Sequence, residues 1–110
     1  MLVVLARIEV HPHDVSIATR LAARVAGETR REAGCLHYAF GQDISEAGLL
    51  WLAERWQTRE ALAQHFETPH MTAFREGLGR LRVRRILASS YEVSEERVLV
   101  DRRTEPHAHR

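Results

Sequence analysis

The stretch that decides the fold runs Gly34-Cys35-Leu36-His37-Tyr38-Ala39-Phe40, then Leu49-Leu50-Trp51-Leu52-Ala53-Glu54-Arg55-Trp56, and closes on Glu67-Thr68-Pro69-His70-Met71. The first run opens at a turn glycine. It alternates, with Leu36, Tyr38 and Phe40 on one face and Cys35, His37 and Ala39 on the other, which predicts a strand. Gln42 to Gly48 is polar and reads as loop. Leu49 to Trp56 is the next strand and ends on a charged and aromatic step. Thr58 is placed to cap a helix whose apolar face is Ala61, Leu62, His65 and Phe66. Thr68-Pro69 breaks and restarts that helix, because proline suits the first helical position. Met71, Phe74, Leu78 and Leu81 follow at helical spacing.

Working outward, Leu2 to Glu9 reads as a strand that His11-Pro12-His13 ends, since Pro12 cannot continue a ladder. Asp14 is a candidate N-cap for a helix marked by Ala18, Leu21, Ala22 and Val25, and Gly34 is a candidate C-terminal stop. Arg80, Arg82, Arg84 and Arg85 read as a solvated connector into a last strand, Ile86 to Val93. The order β-α-β-β-α-β is the ferredoxin-like α+β arrangement. Helices cover one face of such a sheet, and a free face shows polar alternation. Leu2 to Ala6 and Leu49 to Ala53 do not alternate, so the second face also needs a cover. A second copy of the same sheet supplies it, which predicts a homodimer and a dimeric α+β barrel. Residues 1–93 form the domain. Residues 94–110 read as a C-terminal extension, with a short strand at Val98-Leu99-Val100 and then a disordered polar tail.

At 110 residues, 45% hydrophobic and 28% charged, the composition is that of one ordinary globular domain. No apolar run approaches a membrane span, and the N-terminus lacks the pattern of a signal peptide. The single cysteine cannot close an internal disulfide, which points to the cytoplasm. A net charge of +1 gives no field for nucleic acid, and the arginine run lacks interleaved aromatics. The chain has no lysine, so a lysine Schiff base and a phosphate-loop lysine are excluded. It has no asparagine either.

Among candidate functional residues His65 is the sharpest, because its helix turns it toward the sheet between Leu62 and Phe66. It reads as a core histidine or as a general base in a cavity between helices and sheet, neutral because it is buried with no carboxylate expected nearby. Trp56 reads as packing, as an indole N–H donor, or as a flat wall for an aromatic ligand. Tyr38 lines the neighbouring strand, and His70 is expected exposed and structural. Cys35 reads as an inert, small, buried hydrophobe. His65 and His70 are five apart across a helix break, which is not the spacing of a zinc helix. No Cys or carboxylate completes a set with ligand spacing, so no metal site is predicted.

The run Gly34-Cys35-Leu36 to Tyr38, then Glu54-Arg55-Trp56, Ala61-Leu62 to His65, and Thr68-Pro69-His70-Met71 to Ala73-Phe74 resembles the antibiotic biosynthesis monooxygenase (ABM) family. The resemblance implies a dimeric barrel and oxygenation with neither metal nor flavin. A hydroquinone or polycyclic phenol is then its own reductant once deprotonated, and no cofactor is needed. His65 is the expected base, and Trp56, Tyr38, Phe66 and Phe74 are expected to surround a small aromatic substrate. The haem-degrading branch of the family uses an Asn with a Trp and a His, and this chain cannot complete that set. A non-catalytic small-molecule-binding or stress-associated dimer is the alternative, because fold does not give function.

Overall fold

In a computed structural model of the chain, residues 1–104 are described. Four strands, β1 (Leu2–Val10), β2 (Cys35–Gln42), β3 (Leu49–Trp56) and β4 (Val83–Glu92), form one antiparallel sheet in the order β2-β3-β1-β4. Helices α1 (Val15–Thr29), α2 (Arg59–His65) and α3 (Pro69–Gly79) share a core with it. This is the α+β ferredoxin-like fold that the element order predicts. The register pairs Leu2 with Trp56, Val4 with Glu54, Ala6 with Leu52 and Ile8 with Leu50. With a side-chain period of two, those eight residues share the helix-facing side, and all are buried.

The opposite face remains apolar. Leu5 pairs with Ala53 and Ser89, Arg7 with Trp51 and Leu87, and Val3 with Tyr91. Leu5, Trp51, Leu87 and Tyr91 are exposed there, and the Arg7 guanidinium lies 5.0 Å from the Trp51 ring centroid. No helix among the described residues is long and apolar enough to cross a membrane.

The helix starts follow their expected chemistry. Thr58 Oγ1 accepts from the Ala61 N–H, and Thr68 Oγ1 from the Met71 N–H one residue ahead of Pro69. Five local expectations are corrected. Asp14 holds the N-cap position of α1 without capping it, because its carboxylate accepts the backbone N–H, Nε and Nη2 of Arg82. Three bonds from one arginine, two of them between opposite charges, outweigh a single cap bond from a backbone N–H. Helix α1 ends at Thr29 with Arg30 as its C-cap, so Gly34 closes the following turn and not the helix. A bulge between Cys35 and His37 exposes Leu36 and leaves Tyr38 and Phe40 as the inward residues of β2. Strand β4 begins at Val83, so Arg84 and Arg85 are strand residues rather than connector. Val98-Leu99-Val100 is exposed and forms no strand, and the end of the predicted tail lies outside the described residues.

Gly34 is the one turn glycine on which the site depends. Its φ is +85°, and a Cβ there would stand 2.6 Å from the Ala61 Cβ of α2. The Gln57 N–H donates to the Gly34 carbonyl at 2.8 Å. The turn between α1 and β2 is thereby held against the start of α2.

Candidate active site

Close packing of that turn brings Glu32 onto the C-terminal end of α2. Glu32 Oε2 lies 2.7 Å from His65 Nδ1 and 2.6 Å from His70 Nε2. His65 is the last residue of α2 and His70 the second of α3, so the break at Phe66–Thr68 aims both rings at one carboxylate. An ionised carboxylate only accepts, so the network assigns N–H to His65 Nδ1 and to His70 Nε2. His65 is 1% exposed, and its Nε2 has no hydrogen-bond partner among the described residues. Burial lowers the His65 pKa against the opposing pull of Glu32, which keeps the ring neutral at pH 7.

A second buried carboxylate is bonded to Trp56, the ring that packs on His65. The alternation Leu50, Leu52, Glu54, Trp56 turns Glu54 inward, where it is 5% exposed. Trp56 Nε1 donates to Glu54 Oε1 at 2.8 Å. Burial raises the Glu54 pKa to about 7, with the Trp56 hydrogen bond opposing and the Glu32 charge reinforcing the rise. Burial also pushes the Tyr38 phenol well above its usual value, helped by Glu54 and Glu32, so Tyr38 keeps its proton. The Cys35 thiol is raised by the same desolvation, which leaves it a poor nucleophile.

Aromatic rings pack around His65. The His65 ring centroid is 4.8 Å from Trp56 and 5.3 Å from Tyr38. Tyr38 is 5.7 Å from Phe40, and Phe40 is 5.8 Å from Phe74. Of the residues expected around a substrate, Tyr38, Trp56 and Phe74 thus join one cluster through Phe40. Phe66 does not lie on the buried side of α2. It is the C-cap residue, exposed beside the His65 ring, because α2 stops one residue earlier. The Trp56 indole is not a free donor either, since Glu54 holds its N–H.

Three sequence readings change here. A carboxylate does touch His65. His70 is half-buried and bonded rather than exposed. The expected absence of a ligand set held only for residues near in sequence, because Glu32, His65 and His70 now place three ligand atoms within 4.8 Å of one another. Cys35 is half-buried against the core. Sequence reasoning missed Glu32, which lies on a turn outside the helical and strand periods. It also missed Glu54, although the two-residue period with Trp56 was a sufficient signal.

A cavity of ≈ 370 Å³ lies one layer away, between α1 and the β2–β3 edge, lined by Ala22, Ala26, Arg30, Phe40, Gln42 and Leu50 among others. Arg30 Nε donates to the Tyr38 carbonyl at 2.8 Å. Phe40 is the wall shared by this cavity and the aromatic cluster.

The sequence profile described as "Antibiotic biosynthesis monooxygenase" matches residues 1–77. The chain belongs to that family. The uncharacterised protein sll1783 of Synechocystis sp. is 30% identical over 98 residues, which cover 89% of this chain and 67% of that relative. A Deinococcus radiodurans protein, provisionally named an antibiotic biosynthesis monooxygenase, superposes with a TM-score of 0.86 at 25% identity, covering 92% of this chain and 100% of that one. Rv0793 of Mycobacterium tuberculosis gives a TM-score of 0.79 at 29% identity, covering 86% of this chain and 96% of its own. The ABM fold is therefore common to this chain and both solved structures.

Proposed function

We propose that this ABM-family chain is a cofactor-independent monooxygenase of a quinol-like or polycyclic phenol, acting as a cytoplasmic homodimer with His65 as general base. One observation carries the reading: His65 Nε2 is buried without a partner among the described residues while Glu32 holds Nδ1. An imidazole fixed through Nδ1–H carries its lone pair on Nε2, and a phenolic O–H is a group that pairs with it. Glu32 then orients the ring as the buried carboxylate does in a hydrolytic triad.

Proton transfer to Nε2 makes the substrate a phenolate, which is electron-rich enough to reduce dioxygen. A ring carbon that bears hydrogen forms a bond to one oxygen atom. The O–O bond then breaks as that carbon loses its proton. One oxygen remains as a new carbonyl and the other leaves as water, so a phenol and dioxygen give a quinone and water. All four electrons taken up by dioxygen come from the substrate. Tyr38, Trp56 and Phe74 are the aromatic surroundings that exclude water from this step. His65 is enclosed, so entry of a substrate requires a local opening around the ring, in the manner of a gating loop. The apolar sheet face bearing Leu5, Trp51, Leu87 and Tyr91 supports the homodimer, because a second copy of the face covers it symmetrically.

A second reading is favoured by one observation: the ≈ 370 Å³ cavity does not include His65 among its lining residues. A non-catalytic dimer that binds an aromatic ligand beside Arg30 and Phe40 fits that placement. Oxygen uptake by metal-free protein across a panel of hydroquinones separates the two. Turnover that His65→Ala lowers by ~10²–10⁴-fold supports the base. Binding without oxygen consumption supports the second reading. Turnover by His65→Ala at the wild-type rate removes the base assignment.

A further inference from the structure

We propose that Glu32, His65 and His70 bind a divalent transition metal of the zinc class, and that metal binding and proton acceptance by His65 exclude each other. The first half stands on geometry alone; the second rests on the base reading above. Two imidazole nitrogens and one carboxylate oxygen, all within 4.8 Å of one another, are a donor set suited to Zn²⁺, Co²⁺ or Ni²⁺ rather than to Mg²⁺ or Ca²⁺. Three protein ligands leave a tetrahedral metal one position for water.

All three ligands must adjust: the two imidazole nitrogens stand up to 4.8 Å apart and have to close by up to roughly 1.4 Å, so both rings move as well as the carboxylate. Zinc bound at ~2.0–2.2 Å from each ligand holds neighbouring donors roughly 3.4 Å apart. Glu32 Oε2 now stands 2.7 and 2.6 Å from the two nitrogens, so its carboxylate must draw back by roughly 0.7 Å from each. Glu32 sits on a turn outside regular structure, where a side-chain rotation supplies that movement. A route inward exists on the His70 side. That ring is 19% exposed and helps line a cavity of ≈ 320 Å³ between α1 and α3, together with Glu28, Phe74 and Glu76.

The exclusion follows from counting protons. A neutral imidazole carries one N–H, and in the hydrogen-bonded arrangement it is on Nδ1, facing Glu32. A metal on Nδ1 takes that lone pair, so the proton must sit on Nε2. The base becomes a donor and can no longer accept a phenolic proton. Its new N–H meets no acceptor among the described residues, which weakens binding relative to a closed structural site whose outer partners are in place.

The test uses the full chain after chelation and dialysis. Titration with Co²⁺ should give visible d–d bands of four- or five-coordinate intensity, saturating at one equivalent, and Zn²⁺ should abolish them. Glu32→Gln and His70→Ala should each weaken Co²⁺ at least tenfold, with folding checked by circular dichroism. Imidazole ¹H–¹⁵N spectra should show the His65 proton moving from Nδ1 to Nε2 as Zn²⁺ is added. Only weak six-coordinate absorption at excess Co²⁺, or equal affinity in wild type and both variants, overturns the site. A His65 proton that stays on Nδ1 at saturating Zn²⁺ overturns the exclusion. If Co²⁺ binds as described and no quinol is turned over, the metal site stands and the base reading fails by itself.

Discussion

Replacing Glu54 by Gln should remove a pH-dependent instability from the folded protein. Glu54 has an ordinary value of 4.5 and is raised to about 7 by burial beside Trp56. The folded state therefore holds a proton on this side chain through a window in which the unfolded chain has released it. Stability from this group is fully present below pH 4.5 and is lost as pH rises through about 7. At 1.36 kcal/mol per unit, the loss across the window is about 3 kcal/mol. The carboxamide introduced by Glu54→Gln can still accept from the Trp56 N–H but cannot ionise. His65, whose pKa is lowered, acts in the opposite direction below its ordinary value, and the difference between wild type and variant cancels that contribution. Urea unfolding at fixed protein concentration from pH 5 to pH 8 measures the difference. The variant should gain on wild type by about 2.5 kcal/mol over that range, a midpoint shift of roughly 2 M for a typical small-domain slope. A wild-type-minus-variant difference that is flat from pH 5 to pH 8 would refute the argument that burial holds Glu54 protonated.

Three further outcomes are expected. Gly34→Ala should destabilise the protein by ~1–3 kcal/mol in thermal unfolding, because it forces a side chain into a positive-φ position and against Ala61; an unchanged melting temperature contradicts the packing described. Arg82 holds the Asp14 carboxyl near about 2, so the stability it provides is present above 3.8 and fades as pH falls toward about 2; Asp14→Asn should lose that acid-limb dependence in a denaturation series. Leu5→Arg combined with Leu87→Arg should convert a species of twice the chain mass to monomer in sedimentation, and a wild-type monomer at micromolar concentration rules out the proposed dimer.

Patterns local to the chain determined the fold. The alternation in Leu49–Trp56, the caps at Thr58 and Thr68 and the proline at position 69 each act over one to four residues, which is the range at which periodicity and capping operate. The uninterrupted apolar runs in the first and third strands also made the uncovered sheet face legible, and His65 facing inward followed from helical spacing. Where the helix stops was less legible, and Phe66 was misplaced by one residue at the end of α2 for that reason.

Only the tertiary structure decided what surrounds His65. Glu32 is 33 residues away in sequence, and no local period relates a turn after α1 to the end of α2. The contact exists because Gly34 lets the turn close on Ala61 and hydrogen-bond to Gln57. That single approach turns a lone core histidine into one oriented by a carboxylate, with its second nitrogen left to accept. It also brings His70, which the sequence placed at the surface, into the same cluster. The shift of Glu54 has a similar origin: alternation gives the direction in which it points, but the loss of water that moves its pKa comes from the packed rings and helices around it. Sequence periodicity fixes which face a side chain takes, whereas desolvation and distant partners are properties of the assembled core.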